Sequence, residues 1–333
     1  MPLTIRLAVR DWDYLTPLAL GDVRSDRIDL VVNRVASLPD GVGAGQEYDA
    51  AETSFSRYLT AIAAGEQGAL GLPNFVMRGF RHQCIITRED SPLTTIRDLA
   101  GKRIGVTGWQ DSGNVWTRAI LRREGITTED AFWYAGRLTE SHPVQDRLGN
   151  FGRPGRIEPV PHEAPMMALL DSGWLDAVCT PFMPEGFFDP KSGFRQLLPD
   201  CRAEQVRYFN AVGYVPGIHL VSLDAELANA HPWLATELSG LIDRSRAVWT
   251  AKRRRYVDTT PFMHGEMKFV AEALPDGWDA SGLDANRRMI AEFITEMRAQ
   301  EILPRELTVD EVFPFAGKSF STLNQPTEMG VSQ

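Results

Sequence analysis

Residues 75 to 82 read Phe-Val-Met-Arg-Gly-Phe-Arg-His: two guanidiniums, an imidazole and two rings around one glycine. An Arg fork holds a carboxylate through two parallel charge-assisted hydrogen bonds. An imidazole titrates close enough to neutrality to give or take a proton. Gly79 lets the backbone turn without a side-chain clash, and the run Gln83-Cys84-Ile85-Ile86-Thr87 reads as a buried strand. Arg78, Arg81 and His82 are therefore expected at a strand mouth, where α/β proteins keep their ligands, facing a small organic anion. The plainer alternative makes both arginines solvated loop charges and His82 a satisfied strand-edge histidine.

A second imidazole, His219, opens an apolar strand after Gly213-Tyr214-Val215-Pro216. Between Tyr48 and Leu59 a short strand ends in Glu52, Ser54 and Ser56 before a helix through Ala64. Either serine can cap that helix and leave nearby N–H groups for an anion, with Glu52 turned to ligand or to solvent. Gln110-Asp111-Ser112-Gly113-Asn114 precedes a helical face marked by the 116/120 and 115/119 spacings, a second strand-to-helix junction with Asp111 or Ser112 as N-cap. Trp116 could stack on a ring there or serve as core. Asp11-Trp12-Asp13-Tyr14, directly after the first strand, could line a cleft or supply caps and turns. Gly41-Val42-Gly43-Ala44-Gly45 lacks the G-x-G-x-x-G spacing, so no nucleotide loop is expected. A metal site would need His82, His162, His219 and Glu52 to converge, yet no H-x-H or H-x-x-x-H spacing points to one.

The elements that must position these groups suit an ordinary globular α/β chain. With 333 residues, 43% hydrophobic and 24% charged, it can bury more than one core, and its length favours about two domains. A net charge of -9 disfavours a nucleic-acid partner, and Lys252-Arg253-Arg254-Arg255 reads as a helix end complementing the dipole. No apolar run approaches bilayer length and no export signal is read at the start. Three cysteines without C-x-x-C spacing suit a reducing cytoplasm better than a disulfide framework or structural zinc. Strands are expected at 5–9 and 28–32, after the turn at 99–101, and at 175–180. Residues 147–165, rich in Gly, Pro and Arg, read as a surface excursion. Leu234, Leu238, Leu241, Ile242 and Val248 mark one long amphipathic helix, and Met289, Ile290, Phe293, Ile294 and Met297 another. The polar tail is expected to be mobile.

Several of these segments together carry a resemblance. Tyr48-Asp49-Ala50-Ala51-Glu52-Thr53-Ser54-Phe55-Ser56, Arg78-Gly79-Phe80-Arg81-His82, Asp98-Leu99-Ala100-Gly101-Lys102-Arg103-Ile104-Gly105-Val106, Gln110 with Trp116 and Arg118, and Pro216-Gly217-Ile218-His219 resemble the 4,5-dihydroxyphthalate decarboxylase family. The Asp-Leu-x-Gly-Lys-Arg element is shared by many solute-binding proteins; Phe-Arg-His with Glu52, Ser54 and Ser56 is more specific. The resemblance implies an α/β, two-lobed architecture like that of type II periplasmic binding proteins, with the ligand cleft between lobes. Residues 1–103 would begin the first lobe, 104–206 form the second, 207–320 return to the first, and 321–333 make the tail.

The activity implied is cofactor-independent decarboxylation of a hydroxylated aromatic acid by protonation of a ring carbon. His82 would act as general acid or base at the ring, with His219 as its partner or the phenol contact, and Glu52 would orient His82 or accept a phenolic proton. Arg81 and Arg78 would hold a retained carboxylate, Ser54, Ser56 and Ser112 would donate short hydrogen bonds, and Trp116 and Arg118 would line the site. Asp111-Ser112-Gly113, Arg57 and residues 137–161 depart from the family pattern, which leaves the substrate open. The alternative is a non-catalytic solute-binding protein closing on a small aromatic or heterocyclic acid. The expected partner is a small-molecule aromatic carboxylate in the cytoplasm, with no nucleic acid, membrane or cofactor; a divalent metal and a homo-oligomer are left open.

Overall fold

The computed structural model describes residues 1–314, so the expected tail at 321–333 lies outside the described residues. The strands are β1 (Leu3–Val9), β2 (Ile28–Arg34), β3 (Ala50–Ser54), β4 (Ala69–Arg78), β5 (Ile85–Arg88), β6 (Arg103–Val106), β7 (Phe132–Ala135), β8 (Ile157–Pro159), β9 (Ala177–Cys179), β10 (Phe194–Gln196) and β11 (Gly217–Asp224). They form two sheets, one with the order β2-β1-β3-β11-β4 and one with β10-β5-β9-β6-β7-β8. In the first, β1 runs parallel to β2 and β3, while β11 lies antiparallel between β3 and β4. In the second, β6 runs parallel to β7 and β9, and β5 antiparallel to β9 and β10. Each sheet is the centre of one lobe, as expected of a two-lobed α/β chain.

The crossing from the first lobe to the second comes earlier than residue 103. β4 ends the first sheet's forward run at Arg78, and Ile85 and Ile86 of β5 already pair with Cys179 and Val178 of the second sheet. A short apolar run does not announce which sheet it joins, whereas the turn at Gly101 looks like a boundary. The return runs through the helix Cys201–Val212 into β11, so residue 207 falls inside that helix. Residues 147–165 are also more than an excursion, because they contribute the edge strand β8.

Two apolar layers sandwich the first sheet. On one side Ile5, Leu7, Val9, Leu72 and Val221 meet Leu234, Leu238, Leu241 and Ile242 of the helix Leu234–Arg255. On the other, Phe55, Phe75 and Leu220 meet Met289, Phe293 and Met297 of the helix Leu283–Ala299. Both stripes therefore bury as their periodicity predicts, and Lys252 to Arg255 form the last turn of their helix. The second layer does not stop at the lobe boundary. Trp116 and Ile120, on the helix Ser112–Arg123, belong to the same cluster, with Trp116 and Phe293 ring centroids 4.9 Å apart. Full burial of each such side chain contributes about 1.5–3 kcal/mol, so this helix fixes one lobe against the other. No helix among the described residues is long and apolar enough to cross a membrane.

Candidate active site

Glu52 lies on β3 and His219 on the adjacent β11, where His219 stands opposite Ser54. The register of β11 against β4 is irregular on both sides of His219, and an irregularity of this kind re-aims a side chain. Glu52 is fully buried and accepts three hydrogen bonds. The Arg10 backbone N–H (2.9 Å) and the Trp12 indole N–H (2.8 Å) donate to Oε2, and His219 Nδ1 lies 2.6 Å from Oε1. A buried acceptor with three donors is fully satisfied and fixes the positions of its neighbours. The His219 side chain keeps 12% of its surface exposed, so Nδ1 is spent on Glu52 and Nε2 is the nitrogen offered to a ligand.

The strand carrying His219 is pinned from behind. Trp116 Nε1 donates to the Gly217 carbonyl at 2.8 Å. A Cβ on Gly217 would stand 2.5 Å from the Phe75 ring and 2.8 Å from the Met289 methyl, so only glycine lets β11 approach this closely.

Two helices from opposite lobes begin beside this pair. Phe55–Ala63 starts after Ser54 and Ser112–Arg123 after Asp111, and neither N-cap side chain closes onto its helix. Their first residues interlock instead. Ser54 Oγ lies 2.8 Å from Ser112 Oγ and 3.1 Å from Ser56 Oγ, Ser56 N–H donates to Ser112 Oγ (2.9 Å), and Ser56 Oγ donates to the Gln110 carbonyl (2.5 Å). Two helix starts facing one point concentrate partial positive charge there.

Arg81 adds a full charge to that point. Only 2% exposed, its guanidinium lies 3.1 Å from where a Gly113 Cβ would be and donates to the Thr180 carbonyl at 3.0 Å. Its Nε has no partner, and among the described residues no carboxylate pairs with it. Burying a cation without a counter-charge is unfavourable by several kcal/mol, and an arriving anion removes that cost.

Four expected site residues are placed elsewhere. His82 is buried against Tyr208, ring centroids 5.4 Å apart, with Nδ1 unpartnered. Its pKa is lowered to about 4, first by burial and then by Arg207, with Glu124 opposing. His82 is therefore a buried histidine packed on Tyr208, and among the described residues it makes no hydrogen bond to Glu52, His219 or the serines.

Arg78 turns to the C-terminal region, donating to Asn286 Oδ1 (2.5 Å) and the Ala280 carbonyl (3.2 Å), and burial pulls its pKa to about 10. Arg118 is held by Gln300 Oε1 (2.7 Å) and the Trp109 carbonyl (2.5 Å), with its charge 3.9 Å from the Trp109 ring centroid. Trp116 is wholly buried. These three are framework, not ligand contacts. Nor do the four groups named for a metal gather: His219 and Glu52 pair, His82 is apart, and His162 sits on an exposed turn with φ 53°.

Of the alternatives left open for 11–14, Trp12 does face the site: it reaches Glu52 from just beyond β1. The reading from sequence misses Arg10, whose N–H also reaches Glu52, and Phe182, after β9, which lies under the Arg10 guanidinium at 5.3 Å. The signal was available in principle, since ligand groups gather at the carboxyl ends of parallel strands.

Comparison with known proteins agrees with this architecture. The family described as the phosphonate ABC transporter periplasmic substrate-binding protein matches residues 43–143. A 4,5-dihydroxyphthalate decarboxylase from Comamonas testosteroni is 27% identical over 330 residues, covering 96% of this chain and 98% of that protein. One from Pseudomonas putida is 29% identical over 217 residues, covering 64% of this chain and 83% of that protein. Among solved structures, the alkanesulfonate-binding protein SsuA from Xanthomonas axonopodis pv. citri, bound to MOPS, superposes with a TM-score of 0.52 at 15% identity, covering 93% of this chain and 98% of its own. The chain is thus a relative of the 4,5-dihydroxyphthalate decarboxylases, built on the fold of periplasmic binding proteins.

Proposed function

We propose that this protein removes one carboxylate, as CO2, from a hydroxylated benzene ring bearing two adjacent carboxylates, 4,5-dihydroxyphthalate being the first candidate. The observation that carries the reading is the juxtaposition of an unneutralised buried Arg81 at two helix starts with a histidine held by a buried carboxylate. Similarity over 96% of the chain to a protein named for this reaction supports it.

The retained carboxylate binds Arg81 and the hydroxyls and free N–H groups around Ser54, Ser56 and Ser112. The adjacent ring carbon, bearing the departing carboxylate, then lies toward His219. With Nδ1–H on Glu52, His219 carries a second proton on Nε2 and delivers it to that carbon. The ionised hydroxyl para to it supplies the electron pair for the new C–H bond. The C–C bond to the carboxylate then breaks, its electrons restore the aromatic ring and the phenolate, and CO2 leaves. His219 regains its proton from solvent, so the net reaction adds one proton to the ring and releases one CO2. Glu52 sets the tautomer and stabilises the imidazolium. The scheme draws on side chains and the substrate's own hydroxyl and invokes no cofactor.

The test is a CO2-release assay of the protein and its His219→Asn variant on 4,5-dihydroxyphthalate. Loss of a positioned acid lowers the rate about 10²–10⁴-fold. A variant within threefold of the unsubstituted protein removes His219 from the mechanism, and binding without CO2 release by the unsubstituted protein favours a pure binding function.

A further inference from the structure

We propose that Arg10 is a second anion contact of this cleft and makes it selective for aromatic acids with two adjacent carboxylates over mono-acids; this rests on the decarboxylase reading above. Arg10 follows the last residue of β1, and its backbone N–H is held by Glu52, so it borders the catalytic pair. Its side chain is uncommitted. Nε is buried without a partner, and among the described residues no carboxylate pairs with the guanidinium. The neighbouring acids are engaged, Asp11 by Arg34 at 3.1 Å and Glu52 by its three donors.

The guanidinium instead lies over the Phe182 ring of the other lobe, 5.3 Å from its centroid. Phe182 closes a turn in which Thr180 Oγ1 donates to the Phe182 carbonyl at 2.5 Å. The Thr180 carbonyl is the acceptor for Arg81. The two guanidiniums thus approach the same three-residue turn, Arg81 at the Thr180 carbonyl and Arg10 over the Phe182 ring. Among the described residues no acid pairs with either, so a ligand carrying two negative groups on one small frame would balance both. Adjacent ring carboxylates have that charge and size.

The two cations have different duties. Arg81, buried and hydrogen-bonded, suits the carboxylate that stays. Arg10, resting on a ring face, suits the one that departs, whose charge disappears as CO2 forms. An interaction present in the bound substrate and fading toward the transition state tightens binding without speeding the chemical step.

The experiment compares the full-length protein with Arg10→Gln and Arg10→Lys, measuring KM and kcat for 4,5-dihydroxyphthalate and the inhibition constant of 3,4-dihydroxybenzoate. That mono-acid is the product expected after one carboxylate is lost. Arg10→Gln should raise KM by about 10- to 100-fold, the worth of one charge-assisted hydrogen bond. Its kcat should stay level or rise, and the mono-acid inhibition constant should move less than about threefold, as one lost contact affects the diacid only. Arg10→Lys should recover part of the loss. Equal weakening of both ligands, or of neither, overturns the proposal. If the unsubstituted protein binds the diacid calorimetrically without releasing CO2, the catalytic reading fails, while the diacid-to-mono-acid affinity ratio in the two proteins still judges Arg10. Failure to bind either compound overturns both.

Discussion

Replacing Glu52 by Gln tests the proposed acid at its support without emptying the space. The side chain keeps its shape, and its single amide oxygen can accept from both Arg10 N–H and the Trp12 indole, the two donors that now share Oε2. The amide NH2 must then face His219 Nδ1, which stands 2.6 Å from Oε1. Two donors cannot share that contact, so Nδ1 becomes an acceptor and the ring loses the arrangement with N–H on both sides. The variant should retain its fold, with a melting temperature lower by a few degrees, since one charged partner is lost while two hydrogen bonds persist. Turnover should fall about 10²–10⁴-fold, or about 3–5 kcal/mol in barrier. KM should change little, because Arg81 and the serines are untouched. Stopped CO2-release assays with a parallel thermal melt read both quantities. A folded Glu52→Gln protein turning over within threefold of the unsubstituted rate would falsify the role given to the pair.

Two other outcomes follow from the placement of single groups. Arg81→Met should abolish measurable binding of aromatic acids yet leave the melting temperature unchanged or higher, because it removes a buried cation that no carboxylate among the described residues balances; a marked drop in stability contradicts that account. His82→Phe should turn over normally. It should also remove an acid sensitivity: the folded pKa near 4 lies below the ordinary 6.5, so the unfolded chain binds the proton more readily. The associated stability is present above pH 6.5 and lost as the pH falls toward 4, amounting to about 3 kcal/mol. Denaturant unfolding of both proteins across that window should show the difference, and parallel pH curves would contradict it.

What could be read in advance depended on how local the determinant is. Glu52, Ser54 and Ser56 obey a strand-end and helix-start grammar contained in one stretch, and Ser112 repeats it at the second junction. The long helices were legible for the same reason, their stripes being periodic. The pairing of His219 with Glu52 was not, since 167 residues separate them and only the insertion of β11 between β3 and β4 makes them neighbours. The cluster at 78–82 divides, because adjacency in sequence is not adjacency in space. Arg78 finds Asn286, 208 residues away, and His82 finds Tyr208, while Arg81 stays at the helix starts beside Thr180. Trp116 and Arg118 lie on the same helix as Ser112, but Ser112 heads it at the cleft, whereas Trp116 and Arg118 sit deeper in the core.

The most direct measurement is product analysis after incubating the purified protein with 4,5-dihydroxyphthalate in D2O. Protonation of the ring carbon by an exchangeable acid predicts one equivalent of CO2 and 3,4-dihydroxybenzoate carrying a single deuterium at the vacated carbon, seen as one missing proton resonance. A diacid recovered intact from a protein that binds it, or a product with hydrogen at that carbon, contradicts the account.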